Sequence, residues 1–300
     1  MTSPLAVPFR AGLTLWAFAR PHTIVGTTIS VVGLAILAAA GIPDFGSVLA
    51  ALIPSWAANL TIVGLNQLTD RDIDRINKPE LPLVAGSLTA RAGWWIVGVS
   101  GVLAVLTALS QGRYLLGTVV ASLGLGVAYS LPPMRLKRYP FWAALCIVGV
   151  RGLIVNLGFF AHFRSGLTLT EIPASLWVLT GFVVVFALAI AISKDIPDVE
   201  GDRTYQIQTL SVRWGTQPVF MLTCTLLALA YGLVIVTAGL GIPTPRPAGL
   251  ILSHGMVLLW FLVSARRVNR EDKTDIRRFY QHIWRLFFLE YLMFPLGCLL

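Results

Sequence analysis

Asn66, Asp70 and Asp74 are spaced at i, i+4 and i+8; Asp195, Asp198 and Asp202 are spaced at i, i+3 and i+7. On a helix, each trio shares one face, because those spacings bring side chains back to the same side. Asp72 and Glu200 fall off the two stripes. With them, the two segments hold seven of the chain's 14 acidic residues. Crowded carboxylates repel, by roughly 4 kcal/mol for two unit charges about 4 Å apart at an effective dielectric near 20. Something positive has to sit among them. Hard oxygen donors without His or Cys favour Mg²⁺, which keeps waters and shares its shell with phosphate. Two facing stripes could hold two Mg²⁺ ions around one diphosphate. Arg71, Arg75, Lys78, Arg135, Lys137, Arg138, Lys194 and Arg203 are near enough in sequence to complete an anion cradle. Solvated loop charges in ion pairs are the plainer alternative, and two matching trios at equivalent helix ends weigh against it. An EF-hand fits poorly, since Pro197 interrupts the loop and no closing Glu stands at its twelfth position.

The elements that must carry these stripes are apolar. The chain has 300 residues, 56% hydrophobic and 12% charged, with mean hydropathy +0.77. Soluble domains are about 25% charged. Nine runs of spanning length occur, roughly 22–40, 46–67, 92–110, 113–131, 139–162, 173–193, 217–239, 248–265 and 282–299. They are continuous rather than alternating, which excludes a barrel. The expected fold is an all-α membrane protein: nine transmembrane helices in one bundle, one domain over 1–300, around a central lipid-accessible cavity. Eighteen of the 23 Lys and Arg residues precede the first run or follow the second, fourth, sixth and eighth. The positive-inside rule then places the N-terminus and both acidic segments in the cytoplasm and the C-terminus opposite. The net charge of +9 reflects this bias and attraction to anionic lipid, not a nucleic-acid surface. The run ending Ala38-Ala39-Ala40 is long for a signal sequence, and no transit peptide precedes it, so a bacterial membrane, or a plastid membrane for a mature form, is expected. Cys146, Cys224 and Cys298 make no metal spacing or disulfide framework. The opposite-face loops, including 164–172 and 239–247, are short.

A diphosphate needs a tail, and a bundle of nine spans has room for a lipid-sized one. A polyprenyl diphosphate is the natural substrate. Its allylic C–O bond would ionise with Mg²⁺ and basic residues stabilising the leaving group and aromatic faces sheltering the cation. An electron-rich acceptor would then attack.

At these residues the chain resembles the UbiA superfamily of intramembrane aromatic prenyltransferases, over nearly its whole length. That family has nine helices, an NxxxDxxxD motif on the second and an Asp-rich motif after the sixth. Further stretches resemble homogentisate prenyltransferases of tocopherol and plastoquinone synthesis, especially the phytyl-transferring branch. They include Arg20-Pro-His-Thr-Ile-Val-Gly-Thr, Ile76-Asn-Lys-Pro-Glu-Leu-Pro, Tyr129-Ser-Leu-Pro-Pro-Met-Arg-Leu-Lys-Arg and Arg151-Gly-Leu-Ile-Val-Asn-Leu-Gly. The resemblance implies that Asn66, Asp70, Asp74, Asp198 and Asp202 handle Mg²⁺-diphosphate, with Asp195 a possible sixth ligand. It implies a role for Tyr129 and for a basic residue after it, either Arg135 or Lys137. It also implies loss of the acceptor's carboxylate as carbon dioxide, leaving a ring methyl. Geranylgeranyl or solanesyl diphosphate, or another aromatic acceptor, would make it a sister enzyme. A transporter is the alternative from another class, although transporters place coupling sites near the midplane.

Other residues carry two readings each. Arg151 and Asn156 fall in the fifth run. An intramembrane Arg faces a cavity or a partner, so Arg151 contacts either the acceptor's carboxylate, the diphosphate, or a structural Asp or carbonyl. His22 either bonds the acceptor's hydroxyls, serves as a base, or is interfacial. His162, His254 and His282 read as interfacial. Trp94, Trp95, Trp142, Trp177 and Trp284 read as an aromatic belt. Gly117, Gly124 and Gly126 read as close helix packing. Glu290 either pairs with Arg285 or lines the cavity.

Overall fold

The computed structural model describes residues 6–165, 171–244 and 246–299. The expected loops at 164–172 and 239–247 therefore lie partly outside the described residues. The described residues form helices and no strand: α1 (Ala6–Phe18), α2 (Pro21–Ala39), α3 (Phe45–Thr69), α4 (Arg71–Asn77), α5 (Ala90–Ser110), α6 (Arg113–Ser130), α7 (Pro140–Val148), α8 (Val155–Phe163), α9 (Ala174–Ser193), α10 (Val199–Thr204), α11 (Leu210–Trp214), α12 (Thr216–Gly239), α13 (Ala248–Arg266) and α14 (Lys273–Leu299). Seven helices are long and apolar enough to cross a membrane: α2, α3, α5, the joined α7–α8, α9, α12 and α13. The protein is thus a multi-pass integral membrane protein. The runs expected at 113–131 and 282–299 do form helices, α6 and α14. Both are more polar than the seven, and α14 starts nine residues early, so that Arg277 and Arg278 extend it.

Apolar residues on all sides of α9 make it the buried axis of the bundle. Leu179, Phe182, Val183 and Phe186 are fully buried. Phe182 and Phe186 meet Tyr231 of α12, and Phe186 meets Phe287 of α14. The junction of α7 and α8 is a π-turn over Gly149–Ile154, a local widening that often marks functional positions.

Helices α2 and α14 touch backbone to backbone. A Cβ built on Gly33 would lie 2.1 Å from the Tyr291 carbonyl oxygen. A main-chain atom cannot swing aside. Gly33→Ala is therefore expected to cost about 3 kcal/mol, the upper end for overpacking. Thermal unfolding in detergent checks this; an unchanged midpoint would show that the two helices can separate freely.

Several expectations are corrected. The first stripe is not one continuous helix: α3 ends at Thr69 and Asp70 has φ −110°, ψ 10°. The i→i−4 bonds Asp70 N to Asn66 O and Asp74 N to Asp70 O persist across the break, so the shared face survives. The second stripe is turn, then α10, as Pro197 suggested. Trp284 is not in a belt but 5% exposed inside the bundle, and His254 is fully buried. Glu290 pairs with His254, Oε1 to Nε2 at 3.3 Å, and not with Arg285. Of the three glycines of α6, only Gly126 packs tightly, against Ile62; Gly117 and Gly124 face open space.

Candidate active site

The acidic segments run from the end of α3 into the short α4 and from the turn after α9 into the short α10, at the same end of the bundle. A buried hydrogen bond joins them. Asn77, 5% exposed, accepts through Oδ1 the backbone N–H of Gly201 at 3.1 Å. Gly201 permits this, because a Cβ there would stand 2.3 Å from Asn77 Oδ1. On the outer side, Tyr205 donates its hydroxyl to the Asp72 carbonyl at 3.1 Å.

This junction brings both trios to one cavity of about 1050 Å³. Asn66, Asp70, Asp74, Asp195, Asp198 and Asp202 all line it, as do Tyr129 and His22. Basic residues lie between the carboxylates. Lys78 bridges the two trios: its ammonium binds Asp198 directly and stands 3.9 Å from Asp74. Lys137 reaches Asp70 Oδ1 at 2.7 Å, and Arg135 reaches the same oxygen at 3.7 Å. Arg135 also donates to the Thr69 carbonyl, and Lys137 to the Thr69 hydroxyl. The two candidates after Tyr129 thus converge on one carboxylate. Lys194 lies against Asp195 at 2.7 Å and beside Tyr129.

The electrostatics of the site are unbalanced. Burial pushes the Asp74 carboxyl up to about 6, against the pull of Lys78. Burial, reinforced by Asp195 and Asp198, pushes Asp202 up to about 7. Burial lowers the Lys137 ammonium, against the pull of Asp70. These carboxyls are short of positive charge.

Asn66 donates its amide to Asp70 Oδ2 at 3.0 Å. Asp70 Oδ1 is buried and, though close to Lys137, takes no well-directed hydrogen bond. Among the described residues, no three carboxylate, His or Cys groups converge enough to hold a metal by themselves. An ion here would need oxygens from a substrate, as Mg²⁺ ordinarily uses. The donor set is all oxygen, and Asp70 Oδ1 has ion pairs but no directed hydrogen bond, so the residues fit a hard cation.

Four expected substrate contacts do not line the cavity. Arg75 is spent on an exposed pair with Asp72 at 3.1 Å. Arg203 is exposed on the outer side of α10. Asn156 is fully buried and bonds the Gly152 carbonyl and the Tyr291 hydroxyl. Arg151 lies against the rings of Trp284 and Phe287. Conversely, Arg20, Arg277, Tyr280 and Arg285 line the cavity, and Asn77 holds it together. Arg277 was hidden because it precedes the last apolar run. Arg20 and Asn77 stood within motifs already noted, but their contacts are long-range.

Apolar helices converging on a pocket of paired acids and bases define a class: an integral membrane protein built to hold a charged group at the end of its bundle. The chain belongs to the UbiA prenyltransferase family, which matches residues 26–290. It is 49% identical over 295 residues to homogentisate phytyltransferase of Synechocystis sp., covering 94% of each chain. It is 37% identical to homogentisate geranylgeranyltransferase of Triticum aestivum, covering 93% of this chain and 71% of that one. The structure of a UbiA homologue from Archaeoglobus fulgidus bound to GPP and Mg²⁺ matches its fold with TM-score 0.66 at 17% identity, covering 94% and 99% of the two chains. The protein is a prenyltransferase, and the transporter reading is set aside.

Proposed function

We propose that the protein transfers the phytyl chain of phytyl diphosphate to homogentisate, with loss of the acceptor's carboxylate as carbon dioxide. The product is a methyl-phytyl-benzoquinol of tocopherol biosynthesis. One observation carries this reading: near-half identity to a homogentisate phytyltransferase along 94% of both chains, with both acidic trios on one cavity. The Triticum relative favours one second reading, a geranylgeranyl donor.

Asn66, Asp70, Asp74, Asp198 and Asp202, with Asp195 beside them, are the residues to hold Mg²⁺, with two ions shared with the diphosphate as the expected number. The bound ions would neutralise charge developing on the leaving diphosphate. Lys78, Lys137, Arg135 and Lys194 contribute the remaining positive charge, as preorganised donors to the phosphate oxygens. Lys78 must release Asp198 for this, exchanging one anion for another. Tyr129 and His22 also line the cavity and are the residues expected to meet the allylic carbon and the acceptor. The rest of the reading is a single domain of nine spans around a central cavity open to lipid, with the acidic end cytoplasmic and the C-terminus opposite.

Isolated membranes given homogentisate with phytyl or geranylgeranyl diphosphate test the proposal. A lipid-soluble product, preferring the phytyl donor and abolished by a chelator, is expected. A faster reaction with geranylgeranyl diphosphate would favour the second reading, and no product with homogentisate would overturn both. The Mg²⁺ requirement should depend on pH. Asp74 and Asp202 must lose protons to bind a cation, and their raised values, about 6 and about 7, lie in the accessible range. Protons compete with the metal as pH falls. The half-saturating Mg²⁺ concentration should therefore rise severalfold from pH 8 to pH 6; a flat profile would remove these two acids from the ion's shell.

A further inference from the structure

Arg151 is placed unlike any other cation of the site. It projects from the π-turn between α7 and α8, in a segment apolar enough to span the membrane. No carboxylate among the described residues pairs with it. Its guanidinium lies over the Trp284 ring, 4.7 Å from the centroid, and 5.6 Å from that of Phe287. Both rings belong to α14. Arg151 as a residue keeps intermediate exposure, although the cavity wall does not include it. Its aromatic shelf leads to the cavity, since Trp284 lines it and meets His22 edge-on at 4.9 Å. One turn further on, Asn156 bonds the Tyr291 hydroxyl at 2.5 Å. That bond pins the α8 side of the turn to α14 and fixes the guanidinium against its shelf.

A guanidinium at this depth in a membrane protein is costly and normally faces a partner anion or a polar cavity. Ring faces attract it but do not neutralise it. An anion supplied from outside the chain would complete the arrangement. The diphosphate is poorly placed to be that anion, because its cations gather around Lys78 and Lys137. Arg151 is about 16 Å of helix rise beyond Pro140, where the basic loop ends. A flat guanidinium pairs with a carboxylate through two parallel hydrogen bonds.

We propose that Arg151, held on the Trp284 and Phe287 rings, is the seat for the carboxylate of the aromatic acid acceptor, a specificity-determining contact distinct from the diphosphate cradle. This rests on the acceptor named in the proposed function. The seat selects an arylacetate-type acid over its uncharged relatives and orients the ring from its side chain.

Equilibrium binding of homogentisate and of its carboxamide to the purified protein in detergent, without prenyl donor, tests the seat. The wild-type protein should prefer the acid. In Arg151→Gln the acid-to-amide preference should fall about thirtyfold, the usual loss for a charge-assisted hydrogen bond, while the KM for prenyl diphosphate stays within about twofold. Arg151→Lys keeps the charge without the fork and should lose about fivefold; it serves alone if the glutamine variant does not accumulate. An unchanged preference in either variant, a rise confined to the KM for prenyl diphosphate, or a wild-type protein that binds no acid overturns the seat. Binding of the acid without turnover overturns the proposed function and leaves the seat standing.

Discussion

Asp198→Ala is expected to lower kcat/KM for prenyl transfer by about a thousandfold, the upper range for removing one charge-stabilising group from a site. Three losses coincide at this position. One oxygen donor of the second trio disappears. Lys78, which binds Asp198 and lies 3.9 Å from Asp74, loses its partner and moves onto Asp74. The remaining acids then face the diphosphate with the wrong charge pattern. Asp70→Ala should behave alike, since it strands Lys137 and Arg135 together. Radiolabelled prenyl diphosphate with membranes holding equal amounts of each variant reads the effect. Glu200→Ala is the control: its exposed pair with Lys273 is worth little, and activity should stay within about twofold. Retention of most activity in Asp198→Ala or Asp70→Ala would remove the acidic trios from the chemistry.

Gly201→Ala is expected to lower kcat/KM by about a hundredfold, which is the scale of a misplacement of about 1 Å. The added methyl would overlap Asn77 Oδ1, which now accepts the Gly201 N–H. α10 must back away from α4, and the two trios separate. The fold should survive, because the apolar core lies elsewhere, around α9. Asn77→Ala in the same chain makes room for the methyl but removes the hydrogen bond, so it should restore activity only in part. The comparison needs kcat/KM together with the thermal midpoint: a large loss of activity at a nearly unchanged midpoint supports the joint. Wild-type activity in Gly201→Ala would mean that the distance between the trios does not matter.

Much of the fold could be read from hydropathy, because a hydrocarbon environment forces backbone polar groups into helices and makes spanning segments long and continuous. The ends of α3 and α9 fell where charge begins. α14 resisted this reading. Its first turns carry Arg277 and Arg278, so apolar run and helix do not coincide. α4 and α10 were too short for any periodicity to distinguish them from loop. The acidic stripes were legible because like charges at helical spacing have few structural uses. Their pairing with Lys78 and Lys137 was not, since it joins residues up to 120 positions apart.

The sequence by itself determined the apolar helices, the acidic trios and the oxygen-donor chemistry that follows from them. These depend on residue type and local spacing, which a chain carries with it. Only the tertiary structure decided which charges share a cavity. It turned Arg75 and Arg203 outward, buried Asn156 in a helix contact and placed Arg151 on an aromatic shelf. It also showed Gly201 and Asn77 as the joint that brings the trios together. Such outcomes depend on how whole helices pack, and packing is set by close contacts between distant residues, where one methyl group decides whether two backbones can meet.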